Sequence, residues 1–230
     1  MGTFFQAYAQ ADFFGKLIFF ALFLLSCGAW VFLIQKFLLI KKLRLSSLRF
    51  KKLATLHREE LLNLNAKSTN PFSNLFTSIK TRTLALLDKN HFFADQNQNF
   101  LSKADIDFLE SHLHTMIAKE KGTIEKNLFI LSTTVALAPF LGLLGTVWGI
   151  LIAFGELQAG HSVTSSVVIL GGLSTALTTT VLGLLIAIPA LIANNYFKNL
   201  SKQFTLEMID FSDFLLSTIE LQYRRVDVPS

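Results

Sequence analysis

Side chains able to do chemistry are few in this sequence and poorly spaced for it. The five histidines, His57, His91, His112, His114 and His161, include no pair at the i, i+4 spacing that lets two imidazoles share an ion on one helix face, and His112 and His114 project to different sides of a helix. That argues against a metal site. No phosphate-binding glycine loop, nucleophile elbow or carboxylate pair in an apolar setting occurs, and the glycines of GLLGTVWG lie inside an apolar run without the lysine of a nucleotide loop. The pattern points away from an enzyme and from any cofactor. Cys27 is the single cysteine, so no disulfide can form within the chain. Leu24-Leu25-Ser26-Cys27 has the look of a lipoprotein cleavage site, but the apolar run continues to Ile40 and the start of the chain is not basic, so Cys27 reads as a small packing residue.

What remains is the chemistry of glycines and hydroxyls in a setting without charge. Val135 to Asn194 holds two apolar runs, APFLGLLGTVWGILIAF and VVILGGLSTALTTTVLGLLIAIPALIA, with no ionisable side chain. Gly142, Gly145 and Gly149 in the first, and Gly171, Gly172 and Gly183 in the second, offer flat surfaces on which another helix can pack closely. Among the hydroxyls, Thr146, Ser174, Thr175, Thr178, Thr179 and Thr180 can satisfy themselves on their own helix backbone, which by itself favours packing over a conduction path. Pro139 and Pro189 are expected to bend their helices and free backbone carbonyls. Both features fit an oligomer interface equally well.

The elements that carry these residues are membrane spans. Half of the 230 residues are hydrophobic and they gather in long blocks rather than recurring periodically. Leu17–Ile34 is uncharged and extends to Ile40 if Gln35 and Lys36 sit at the interface; Leu128–Phe154 and Val167–Ala193 are uncharged throughout. Each can cross roughly 30 Å of hydrocarbon as a helix. Lys41, Lys42, Arg44, Arg49, Lys51 and Lys52 follow the first span, Lys119, Lys121 and Lys126 precede the second, and Lys198 and Lys202 follow the third. By the positive-inside rule the N-terminus and the short turn between the last two spans lie outside. The net charge of +5 is then a cytoplasmic face attracted to anionic lipid, with no need of a nucleic-acid partner. Lys16 can pair with Asp12 or with lipid phosphate, the latter being the default.

The polar segments read as helices with breaks. Ser68-Thr69-Asn70-Pro71 stops a cytoplasmic continuation of the first span, and Phe72, Leu75, Phe76 and Ile79 mark an amphipathic helix after the proline. Ser102 and Asp105 form a capping box ahead of a helix whose face is Ile106, Leu109, Leu113, Met116 and Ile117, expected to run unbroken into the second span. Leu200, Phe204, Met208, Phe211, Leu215 and Ile219 repeat the pattern in the tail. The expected fold is an all-α integral membrane protein with three transmembrane helices, the second and third extended into a cytoplasmic helical bundle. Residues 1–14 form an outer interfacial segment, 15–40 the first transmembrane helix, 41–127 a cytoplasmic helical loop, 128–154 the second transmembrane helix, 155–166 an outer turn, 167–197 the third, and 198–230 a cytoplasmic tail.

A pump or proton relay needs a titratable group inside the bilayer, and these spans hold none. Any such group must come from another subunit. The alternative is a non-conducting scaffold whose helices pack a larger complex. The stretch Leu141-Gly142-Leu143-Leu144-Gly145-Thr146-Val147-Trp148-Gly149-Ile150, and Ala176–Ala190 reading ALTTTVLGLLIAIPA, resemble the two signature spans of the TolQ/ExbB family, related more distantly to the flagellar stator protein MotA. The resemblance implies a proton-driven motor subunit of the inner membrane, five copies forming a pentamer around the spans of a TolR- or ExbD-like dimer whose aspartate carries the proton. A TolA- or TonB-like protein is a further implied partner. On this resemblance Thr146 and Thr180 line the pore, and Thr175 stands where the family usually has a glutamate in a GIAEAL-like run.

Overall fold

Among the described residues, six helices account for nearly all of the backbone. The structure, a computed structural model, describes residues 2–56, 70–93, 100–158 and 163–224. The helices are α1 (Gly2–Gln10), α2 (Phe13–Leu56), α3 (Pro71–Phe93), α4 (Lys103–Glu125), α5 (Leu128–Gln158) and α6 (Val163–Tyr223), and no strand element occurs among the described residues. Three of them, α2, α5 and α6, are long and apolar enough to cross a membrane by length and composition. The all-α membrane fold is therefore borne out, with helical regions beyond the apolar stretches.

The chain divides into two compact units, Met1–Lys36 with Asn127–Lys198, and Phe37–Lys126 with Asn199–Ser230. The second unit is built like a water-soluble bundle. Phe72, Leu75, Phe76 and Ile79 of α3, Leu109 and Leu113 of α4, and Met208, Phe211, Leu215 and Ile219 of α6 are all buried in one core. Aromatic edges organise its centre: the Phe72 ring lies 5.4 Å from Phe204 and 5.2 Å from Phe211, and Phe50 of α2 lies 5.6 Å from Phe76. Fully burying side chains of this size contributes about 1.5–3 kcal/mol each.

Local signals set the ends of α3 and α4. Asn70 caps α3 by accepting the Ser73 amide at 2.9 Å, with Pro71 at the first helical position where its missing N–H costs nothing. Ser102 and Asp105 make the reciprocal capping box at the start of α4. Polar rungs then hold α3 and α4 antiparallel: Asn74 donates to Glu120 at 2.9 Å, Ser78 and His112 meet at 2.7 Å, and Asn90 donates to Asp105 at 3.0 Å. Burial opposes the charge on Asp105, but the Ser102 amide and hydroxyl, the Asn90 amide and nearby Lys89 outweigh it and hold the carboxyl below its ordinary value.

Two local expectations are corrected. The unbroken run from α4 into α5 is interrupted at Lys126 and Asn127, because Asn127 takes a left-handed conformation, φ 66°, which asparagine tolerates better than most residues. Lys36, near the end of the first apolar run, is covered by protein, with 5% of its surface exposed. Cys27 lies on the exposed face of α2, whereas Ile18, Leu22 and Ala29 form the packed one. Of the remaining local expectations, the continuation of α2 past Leu56, the polar stretch 94–99, His57 and His161 lie outside the described residues.

Removing the α4 cap should loosen that end of the bundle. Ser102→Ala costs about 1 kcal/mol, the usual value of an N-cap, and hydrogen exchange at the Asp105 and Ile106 amides should accelerate about fivefold. Because the Asp105 value is depressed by folding, its contribution is complete above the ordinary carboxylate range near about 4 and is lost as pH falls through the lower native value. Asp105→Asn should remove that segment of the acid-unfolding profile.

Candidate functional site

Within the first unit, α5 and α6 meet along a seam of small residues. Ala138, Gly142, Gly145, Gly149 and Ala153 recur every three or four residues on α5 and are all buried. Gly172, Ala176, Thr179 and Gly183 answer them on α6 in antiparallel order. A Cβ on Gly142 would stand 3.0 Å from the Thr179 carbonyl oxygen, one on Gly145 2.6 Å from the Thr179 Cβ, one on Gly149 2.5 Å from the Gly172 carbonyl oxygen, and one on Gly183 2.5 Å from that of Ala138. Backbone touches backbone over about three helical turns. Without a hydrophobic force between helices in lipid, such contact and the hydrogen bonds it permits are what hold two spans together.

The hydroxyls divide by where they donate. Thr180 Oγ1 reaches across the seam to the Gly142 carbonyl at 3.1 Å, a distance open to it because Gly142 has no side chain. Thr179, fully buried, donates within its own helix to Ala176 at 2.8 Å and also lies 3.4 Å from the Gly142 carbonyl. Thr146 closes onto the Leu143 carbonyl of its own helix at 2.6 Å and stays partly exposed. A carbonyl can only accept, so the Thr146 and Thr180 hydroxyls each act as donor here and keep their lone pairs for another donor.

Thr175 is placed differently. It is buried, with its hydroxyl 2.8 Å from Gly171 O on α6 and 3.2 Å from Ala7 O on α1. Gly171 lies beside it, facing Gln10 of α1. Both prolines are accommodated inside their helices, which continue past Pro139 and Pro189. The pair Trp148 and Asp12 escaped the reading of the sequence: the Trp148 Nε1–H donates to Asp12 Oδ2 at 3.0 Å across 136 positions of chain. The role of Thr179 as the residue buried at the centre of the seam was also not singled out, although its spacing from Gly172, Ala176 and Gly183 carried the signal.

An uncharged, glycine-packed pair of spans with hydroxyls along it, in an all-helical membrane protein, defines a class of helix-packing membrane subunit. Residues 86–209, more than half the chain, match the model of the MotA/TolQ/ExbB proton channel family, and the chain belongs to that family. It is 37% identical over 95 residues to the biopolymer transport protein ExbB of Xanthomonas campestris pv. campestris, covering 41% of this chain and 37% of that protein. It is 36% identical over 101 residues to the Tol-Pal system protein TolQ of Pseudomonas aeruginosa, covering 44% and 43%. With the ExbB of Salmonella typhimurium the similarity is 27% over 227 residues, 96% of this chain and 86% of that one. Against the first two relatives the chain spans less than half of their length.

The seam makes a direct prediction. Gly145→Ala should destabilise the detergent-solubilised protein by about 1–3 kcal/mol through overpacking, read as a lowered thermal midpoint. Thr179→Gly in the same chain should recover part of that loss, a non-additivity expected of residues in contact. Gly28→Ala, where an added Cβ meets nothing within 4 Å, is the neutral control.

Proposed function

We propose that this protein is the ring-forming subunit of a motor driven by the proton-motive force. Several copies, five by resemblance to the family, surround the single spans of a TolR- or ExbD-like partner that carries the titratable acid. The observation behind this reading is the union of charge-free spans with hydroxyls whose lone pairs are left open. Such a wall cannot carry a proton alone, since it has no group that ionises near neutral pH. It can accept a hydrogen bond from one that passes.

In this reading Thr146 and Thr180 line the path, and the glycine seam sets the distance between the helices that bear them. The spans at 15–40, 128–154 and 167–197 cross the inner membrane with the N-terminus in the periplasm and the tail in the cytoplasm, following the basic residues at their inner ends. The process energised is an envelope function of Tol-Pal or TonB type, with a TolA- or TonB-like protein as the downstream partner. The exposed apolar faces of α5 and α6, including Phe140, Val147, Phe154, Leu177 and Val181, are free to meet lipid or neighbouring copies.

Two measurements separate this from a packing scaffold. Native mass spectrometry of the solubilised complex should find a pentamer with two copies of a partner that has one N-terminal span containing an aspartate. In that assembled complex, Thr180→Val and Thr146→Val should each lower proton-driven activity about tenfold, the weight of one hydrogen bond, while Thr180→Ser retains it. Undiminished activity in both valine variants, or a complex without an acidic partner, would leave the scaffold reading.

A further inference from the structure

We infer that Asp12 is a positioning residue that locks the joint between α1 and α2 onto the α5–α6 seam by fixing the Trp148 side chain. Asp12 lies in the two-residue break between α1 and α2, and its carboxylate is shared in three directions. Oδ1 accepts the Gly15 amide at 2.9 Å, and Oδ2 accepts the Trp148 indole N–H at 3.0 Å with the Phe14 amide at 3.4 Å. One residue therefore caps α2 and reaches α5. The Trp148 ring packs on Phe14 with centroids 4.3 Å apart, so the indole is held at its edge by the carboxylate and on its face by the next residue but one.

A second tether lies on α6. The Thr175 hydroxyl shares its proton between the Gly171 carbonyl at 2.8 Å and the Ala7 carbonyl at 3.2 Å, and the Ala7 side chain is itself fully buried, in a cluster with Ala11 and Phe19. Between the two tethers lies a cavity of about 330 Å³ lined by Gln10, Asp12, Trp148, Glu156 and Thr175 together with seam glycines. Packing alone therefore does not fill the region, and polar tethers of defined geometry hold the joint. Trp148 is two residues from Thr146 on α5. Thr175 is five residues from Thr180 on α6. The joint thus grips each of the two helices within two turns of its pore-facing hydroxyl, and loosening it frees those helices to shift. The consequence for Thr146 and Thr180 rests on the motor reading; the docked joint itself does not.

Docking can be read by a disulfide. A Cβ on Gly171 would stand 3.6 Å from the Gln10 Cβ, inside the range of about 3.5–4.5 Å that a disulfide spans. Full-length protein carrying Cys27→Ser, Gln10→Cys and Gly171→Cys should therefore cross-link readily in membranes on addition of copper phenanthroline. Asp12→Ser keeps an N-cap for α2 but is too short to reach Trp148, and Trp148→Phe keeps the ring while deleting the donor. Each should slow cross-linking about tenfold, as loss of a charge-assisted hydrogen bond would. Asp12→Asn, which keeps one acceptor oxygen, should fall between. If the parent does not cross-link, or if both variants cross-link at the parent rate, the locking role is overturned. Should the cysteine protein fold poorly, acrylamide quenching of Trp148 in Trp30→Phe protein gives the same answer: Asp12→Ser should raise it about twofold as the indole loosens, and no change refutes the lock. In the assembled complex Asp12→Ser should lower activity in parallel with cross-linking, and full activity with the joint released would overturn the positioning role. Active Thr146→Val and Thr180→Val variants would sink the motor reading while leaving the cross-linking result intact.

Discussion

The structure of the membrane unit depends on one omission, the missing Cβ at Gly142, Gly145, Gly149 and Gly183. Every one of these positions faces an atom of the opposite helix that a methyl group would strike. The resulting approach is what lets the Thr180 hydroxyl reach the Gly142 carbonyl across the seam, since at an ordinary helix separation of 8–10 Å, roughly, a threonine is too short. Close packing and polar contact are thus one feature. It also fixes which faces remain: with the small residues turned inward, the bulky ones at Leu143, Val147, Leu177 and Val181 are left on the outside.

The two units are stabilised by different physics, although α2 and α6 run through both. In the unit with α3 and α4 the core is made of large side chains, and the aromatic cluster of Phe72, Phe76 and Phe211 removes apolar area from its surroundings. In the unit with α5 the buried positions are mostly glycine, alanine and threonine. Large side chains there bring no hydrophobic gain when taken from lipid into protein, because the lipid is already apolar. The same helix α6 follows one rule at Gly172–Gly183 and the other at Phe204–Ile219, and the change in residue size along it tracks the change of solvent.

That contrast explains what could be read in advance. The stripes on α3, α4 and the end of α6 were legible because water imposes a polar and an apolar face, and Phe72 to Ile79 and Phe204 to Ile219 are buried as their spacing requires. The capping box at Ser102 is local, and it too was legible. The seam glycines were visible as a small-residue pattern, but which hydroxyl crosses the seam was not, because Thr178, Thr179 and Thr180 differ only in the angle at which each leaves the helix. Trp148 with Asp12, and the covered Lys36, were hidden for a different reason: each is a product of how distant segments meet, and no local pattern encodes it. The break at Asn127 depended on a single backbone angle.

The hydrogen-bond polarity of the seam carries one more consequence for the motor reading. The Thr146 and Thr180 hydroxyls donate to backbone carbonyls, so on that reading a group moving past them meets acceptors. A neutral carboxylic acid, or a water carrying a proton, finds partners there, whereas a carboxylate finds none unless a threonine rotates and gives up its bond to the carbonyl. That rotation costs on the order of 1 kcal/mol, the net value of such a bond. A hydrogen bond to a carboxylate contributes about 1.5–3 kcal/mol and offsets that cost, so the same hydroxyl accepts from the acid and, once rotated, donates to the carboxylate. On the motor reading such a wall can meet both protonation states without being charged itself, whereas a fixed charge would hold one form of the partner and stop the cycle there. On the motor reading, the absence of ionisable groups from the apolar runs of α5 and α6 and the presence of hydroxyls bound to carbonyls are therefore two parts of one requirement: a path that meets either state of its cargo and holds neither.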